Sequence, residues 1–212
     1  IIFNSKEVKF QRRGVRKFAL EVLASVRLQI EILYYIVASL PLHLPAPNIS
    51  PGHTRFETFF TVGKLNCLFG NLNISSVYES EPVGFSGDCF FNLVVGIETE
   101  VSLQELSHEV KKIEDENGRL RTGPRFSART LDIDIITYGL LHGVHSDIKL
   151  PRPELYYNAF VLWPMAELMP NMVDIQTGQT YQTLWQRMSE SNTQKLWPVE
   201  FTWSGQRISE SV

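Results

Sequence analysis

Cysteine is scarce: Cys67 and Cys89 are the only two in the chain. That is too few for a disulfide framework, and no histidine and cysteine cluster with zinc-ligand spacing accompanies them. Both read as thiols in a reducing compartment, so the expected location is the cytoplasm. A basic excess is also missing. Lys and Arg number 20 against 23 Asp and Glu, a net charge of -3, which excludes a general nucleic-acid or anionic-membrane binder. Any anion site must be local. The most apolar stretch near the start, 18–44, is interrupted by Glu21, Arg27 and Glu31 and ends among prolines. It fits neither a membrane-spanning helix nor a cleavable signal. No Walker-type glycine loop occurs, which excludes a P-loop nucleotide site. What is present, 212 residues with 43% apolar and 20% charged, suits a globular chain of one domain with an appendage.

A basic cluster, Arg12, Arg13, Arg16 and Lys17, precedes a stretch over 18–39 that reads as a helix. Pro41, Pro45, Pro47 and Pro51 then fix the backbone and remove donors, making 40–55 a linker or a compromised strand. A helix is expected over 56–69 with Gly70 as its stop, then a strand over 71–78. Phe91, Leu93, Val95 and Ile97 alternate with Phe90, Asn92, Val94 and Gly96, the period of a two-faced strand, so Phe90 and Asn92 share a face. Ser102 and Glu105 form a capping box, Asn117-Gly118 supplies a stop, and Leu103, Leu106, Val110 and Ile113 make the buried stripe of the helix between. The next strand, 131–138, ends at Gly139. A helix over 157–168 is bounded by Pro151, Pro153 and Pro170; 180–188 is helical, and the tail from 189 carries no pattern. Helix, strand, strand, helix, strand is most of a βαββαβ order, an antiparallel sheet with both helices on one face, lacking only its first strand.

Asp132 and Asp134, two apart on a strand, emerge from one face with Cα atoms about 7 Å apart, while Leu131, Ile133 and Ile135 enter the other. Two anions so placed repel. A facing arginine or a shared divalent cation relieves them, and hard oxygen ligands suit magnesium; a solvated strand face is the plain alternative. Just upstream, Lys111, Lys112, Arg119, Arg121, Arg125 and Arg129 form a local basic excess. Such forked donors suit a polyphosphate, against the alternative of a loop salt-bridged to Glu114, Asp115 and Glu116. Phe90 and Phe126 offer aromatic faces for a flat heterocycle, and Asn92 offers both donor and acceptor edges. The chemistry these pieces suggest is magnesium-assisted transfer from a nucleotide to a small planar substrate.

The run 125–135, Arg-Phe-Ser-Ala-Arg-Thr-Leu-Asp-Ile-Asp-Ile, closely resembles the signature of the 6-hydroxymethyl-7,8-dihydropterin pyrophosphokinase family of folate synthesis. The segments 75–84, 90–92, Ile113-Glu114 with Gly118-Arg119, and 159–164 with Ala166-Glu167 follow in family order, so the resemblance spans roughly 48–185. It implies an α+β, ferredoxin-like sandwich. It also implies transfer of a pyrophosphoryl group from the co-substrate ATP to the pterin hydroxymethyl oxygen, with release of AMP. Asp132 and Asp134 would hold two magnesium ions. Arg119, Arg121 and Arg129 would neutralise the triphosphate, with Lys111, Glu114, Ile135 and Arg152 near the nucleotide. The pterin would lie between Phe90 and Phe126 or Phe160, read by Asn92 and by groups around Ser80 and Val83. The resemblance implies small-molecule partners only, with no nucleic acid or membrane, and a monomer.

One departure bears on the fold. The family opens with an apolar strand ending in Gly-Ser-Asn, whereas here Pro45-Ala46-Pro47 precedes Asn48-Ile49. The first strand is therefore expected to be distorted, replaced by part of 34–44, or absent. The chain divides into a divergent, helical N-terminal extension (1–47), a pyrophosphokinase domain (48–188) and a tail (189–212). Arg152 stands where the family frequently has histidine. Two rival readings are an impaired nucleotide- or pterin-binding relative and an Asp-x-Asp nucleotidyl- or glycosyltransferase.

Overall fold

The stretch Phe90–Glu98 buries every residue from Phe91 to Ile97, the pattern of a strand covered on both faces. The computed structural model describes residues 33–41, 52–83, 89–117 and 131–211. All of these fall within one unit, Leu33–Val212. In chain order the described elements are β1 (Leu33–Pro41), α1 (Gly52–Phe69), β2 (Leu72–Ile74), β3 (Val77–Ser80), β4 (Phe90–Glu98), α2 (Leu103–Glu116), β5 (Asp132–Tyr138), β6 (Gly143–His145) and β7 (Ile148–Leu150). A 3-10 turn (Pro153–Tyr156) follows, then α3 (Ala159–Leu168), α4 (Tyr181–Ser191), β8 (Leu196–Val199), β9 (Phe201–Trp203) and β10 (Gln206–Ser209).

The main sheet runs β5-β1-β4-β3-β8, with β2 also pairing β4. Every pairing in it is antiparallel. β1 is an interior strand. Its residues oppose Glu98 to Phe90 on one side and Tyr138 to Asp132 on the other. This corrects the helical reading of 18–39 from Leu33 onward, since that part is strand; 18–32 lies outside the described residues. Of the three expectations for the first strand, replacement by the segment beginning near Tyr34 is the one found. The misreading has a physical cause: a short, largely apolar run shows no period that separates a strand from a helix.

Two helical layers cover the sheet. On one face Val62 and Leu65 of α1 and Leu103, Leu106, Val110 and Ile113 of α2 pack against Phe91, Leu93, Val95, Ile97, Ile133 and Ile135. On the other, Val161, Leu162, Met165 and Ala166 of α3 with Tyr181 of α4 pack against Val94 and Ile136. The capping box is formed: the Ser102 hydroxyl accepts from the Glu105 N–H, and the Glu105 carboxylate accepts from the Ser102 N–H. Asn117 caps α2 at φ -92°, and its Nδ2 donates to the Ile113 carbonyl at 2.7 Å; Gly118, the other half of the expected stop, lies outside the described residues. Gly70 ends α1 as expected, at φ 76°.

The strand read over 71–78 is two strands. Ser75 interrupts it, and its hydroxyl accepts from the Val94 N–H at 2.9 Å, substituting for a ladder bond. Past 188, where the sequence shows no pattern, β8 extends the sheet along β3. β9 and β10 form a separate hairpin tied back by the Ser209 hydroxyl, which donates to the Val77 carbonyl.

Candidate active site

β5 alternates as the sequence requires. Ile133 and Ile135 are buried on the α1/α2 side, and Asp132 and Asp134 are half-buried on the opposite side. The register then brings distant residues together. Ser39 opposes both Asn92 on β4 and Asp132 on β5, and Val37 opposes both Val94 and Asp134. Two strand spacings therefore separate the Asn92 and Asp132 backbones, about 10 Å. Just beyond Asp134 the β1–β5 register shifts, because Tyr35 opposes Thr137 and Ile36 opposes Ile135, leaving Ile136 as the extra residue of a bulge. A bulge sharpens the twist locally and re-aims neighbouring side chains. Ile136, on the same side of the strand as Asp132 and Asp134, enters the α3 core, and past the bulge Tyr138 packs against the α1/α2 cluster.

Arg152 reaches this carboxylate face. Its Nη2 lies 3.0 Å from Asp134 Oδ1, and its Nε lies 3.5 Å from Glu154 Oε2. Its main-chain N–H donates to the Ile136 carbonyl at 2.9 Å, fixing the residue beside the bulge. The Arg152 and Asp134 side chains are 31% and 33% exposed, so ions from solvent reach the pair. Two carboxylates on one strand face provide hard oxygen donors that suit magnesium. Among the described residues no group of three or more histidine, cysteine or acidic side chains gathers. Two carboxylates suit a cation that completes its shell with phosphate or water.

Asn92 is 1% exposed. Its Nδ2 donates to Ser80 Oγ at 2.8 Å and to the Phe90 carbonyl at 3.2 Å. Both partners hold the amide in one orientation, since a carbonyl accepts only from the nitrogen. Phe90 is half-buried on the same face, Phe160 lies on α3 at the edge of its core, and Val83 is 47% exposed. Lys111 is exposed on α2. Ile135 is a core residue, so only its main chain is available to a ligand. Glu114 is buried, with Oε1 accepting the Ile133 N–H at 2.8 Å, which fastens α2 to the strand that carries the aspartates. Arg119, Arg121, Phe126 and Arg129 lie outside the described residues.

Sequence reasoning gave no role to the contacts that seat α3. The Glu167 carboxylate accepts from the Ser76 N–H at 3.1 Å, the Ser76 hydroxyl at 2.8 Å and the Tyr78 hydroxyl at 3.0 Å. Burial, and then the neighbouring Glu167 carboxylate, push the Tyr78 phenol well above the usual tyrosine range. Trp163 packs on Tyr78 at 4.7 Å and stacks on Trp185 at 5.0 Å. At the other end of α3, Gln194 Oε1 accepts from the Ala159 N–H at 2.7 Å, a cap supplied from beyond α4. A buried tyrosine with its hydroxyl partner far away in sequence leaves no periodic signal.

The model of the family described as 7,8-dihydro-6-hydroxymethylpterin-pyrophosphokinase (HPPK) matches residues 60–170, just over half of the chain. The 2-amino-4-hydroxy-6-hydroxymethyldihydropteridine pyrophosphokinase of Synechocystis is 33% identical over 125 residues, covering 59% of this chain and 62% of the relative. The enzyme of the same name from Bacillus subtilis is 32% identical over 121 residues, covering 55% and 72%. Among solved structures, an HPPK-DHPS in complex with substrates superimposes with a TM-score of 0.57 at 12% identity, over 84% of this chain and 48% of that one. A Plasmodium falciparum HPPK-DHPS variant gives 0.59 at 11%, over 84% and 49%. The chain thus spans about half the length of these structures and under two thirds of the Synechocystis enzyme. With the family model matching over half of the chain and the mixed α/β fold shared with the solved structures, the chain belongs to the 7,8-dihydro-6-hydroxymethylpterin-pyrophosphokinase family.

Proposed function

We propose that the chain transfers a pyrophosphoryl group from ATP to the hydroxymethyl group of 6-hydroxymethyl-7,8-dihydropterin. The observation that carries this reading is the register that aligns Asn92, Ser39 and Asp132 across three strands. A heterocycle site and a phosphate-metal site then lie side by side on one face, about two strand spacings apart. The hydroxymethyl oxygen attacks the β-phosphorus, the bond from that phosphorus to the oxygen it shares with the α-phosphate breaks, AMP leaves and the hydroxyl proton is lost. Asp132 and Asp134 would hold two magnesium ions, which would supply charge neutralisation to the phosphate oxygens. Arg119, Arg121 and Arg129 meet the triphosphate and its developing charge, with Lys111, Arg152 and the Ile135 main chain beside the nucleotide. Glu114 acts by fixing β5. Phe90 with Phe126 or Phe160 sandwiches the pterin, and Asn92 with groups around Ser80 and Val83 reads its edge.

The strand order β5-β1-β4-β3, with α1 and α2 on one face, supports the ferredoxin-like arrangement. The two thiols support a reducing, cytoplasmic setting, and the partners are small molecules acting on a monomer. The test separates nucleotides after incubation with ATP and magnesium, with and without the dihydropterin. AMP that forms only with the dihydropterin is expected; AMP formation indifferent to it, or none from folded protein, overturns the reading.

A further inference from the structure

We propose that Arg152 is a resident counter-ion of the carboxylate pair: it occupies Asp134 before a divalent cation arrives and so sets the cation concentration at which the site assembles. This rests on the magnesium role proposed for Asp132 and Asp134. The geometry is that of an anchored residue with a movable head. The Arg152 N–H is fixed to the Ile136 carbonyl, and the flanking Leu150 and Leu155 are buried, so the main chain stays beside the bulge. The guanidinium stands between two acceptors, 3.0 Å from Asp134 Oδ1 and 3.5 Å from Glu154 Oε2. Only the first distance is that of a close charge-assisted contact.

A guanidinium stays cationic throughout the working pH range, so it relieves the repulsion between Asp132 and Asp134 whenever the metal is absent. A cation entering the same carboxylate must share it with that charge or displace it. Glu154 then matters as the second seat. With Asp134 engaged by metal, the guanidinium keeps an anionic neighbour, and its displacement costs less than a move into open water. The pair is about one third exposed, so the competition is moderate and weakens with added salt.

The experiment measures manganese(II) binding to the full chain by calorimetry at pH 7.5 without nucleotide, for the wild type, Arg152→Met, Arg152→Lys and Glu154→Gln. Arg152→Met removes the charge but keeps the stem, and is expected to bind manganese about fivefold more tightly, the factor equivalent to roughly 1 kcal/mol. Arg152→Lys, which keeps the charge, is expected to stay within about twofold of wild type. Glu154→Gln concentrates the guanidinium on Asp134 and is expected to weaken binding by about twofold. Equal affinity in the wild type and Arg152→Met overturns the proposal. If Arg152→Met fails to melt cooperatively, Glu154→Gln decides: weaker binding supports the competition, and unchanged or tighter binding overturns it. Absence of manganese binding in every form, with or without ATP, overturns the metal role of the aspartates and this inference with it. Binding at equal affinity overturns this inference alone.

Discussion

The two faces of β4 and β5 make opposite use of the same stretches of chain. Toward α1 and α2, Phe91, Leu93, Val95, Ile133 and Ile135 are all buried in a single apolar cluster. Toward α3, Val94 and Ile136 are buried, but the positions next to them along the strands are Asn92, Asp132 and Asp134, an amide and two carboxylates. A period of two lets one stretch of chain place packing on one side and chemistry on the other without either side chain set crossing the sheet. Stability should therefore be read from one face and turnover from the other.

The sharpest test of that division is Leu93→Ala, which empties a fully buried site between the strands and α2. It is expected to cost about 2–5 kcal/mol in chemical denaturation, with residual activity tracking the folded fraction. Asn92→Ala probes the seam between the faces. It strips the hydrogen bond from Ser80 and the Phe90 carbonyl, and a loss of about 1–3 kcal/mol is expected together with weaker pterin binding in titration. An Asn92 variant that lost stability but bound pterin normally would place the amide with the packing face.

Glu167→Ala is expected to cost less, about 1–2 kcal/mol, because the carboxylate it removes is exposed although three donors use it. Its partner gives a pH dependence with a definite sign. The Tyr78 phenol titrates higher in the folded chain than the usual value of about 10. The protonated form is therefore favoured by folding. Its contribution is complete below about pH 10 and is lost as pH rises beyond that. Melting temperatures from pH 9 to 12 are expected to fall less steeply in Tyr78→Phe than in the wild type. Asp132→Asn carries the smallest effect on folding, a change within about 0.5 kcal/mol, while magnesium-dependent AMP formation disappears. A large loss of stability in that variant would erase the distinction between the faces.

Much of the site was legible in the sequence because alternation is a local property. Phe90 with Asn92, and Asp132 with Asp134, were placed on shared faces from spacing alone, and the capping box and buried stripe of α2 were read in the same way. Long-range pairing is not local. Nothing in residues 33–41 announces that they lie between β4 and β5, although Tyr34, Tyr35, Ile36 and Val37 are the β-branched and aromatic types that strands favour. Residues 33–39 read as the end of a helix and the prolines mark 40–55 as a linker or compromised strand, yet Pro41 sits at the very end of β1, opposite Phe90, where a missing donor is tolerated. The Arg152–Asp134 contact was equally hidden, since it depends on the path taken through β6 and β7.

The interior position of β1 also orders events during synthesis. It emerges from the ribosome before either neighbour, and the strand that covers its second edge is β5, made after the whole of α2. Until then a nascent chain carries an apolar segment with an open edge, the kind of feature that invites mispairing and slows the search for native contacts. β5 is the strand that both closes that edge and brings Asp132 and Asp134. The carboxylates can come into register with Asn92 only through Ser39, so assembly of the site reports that β1 has been paired on both sides.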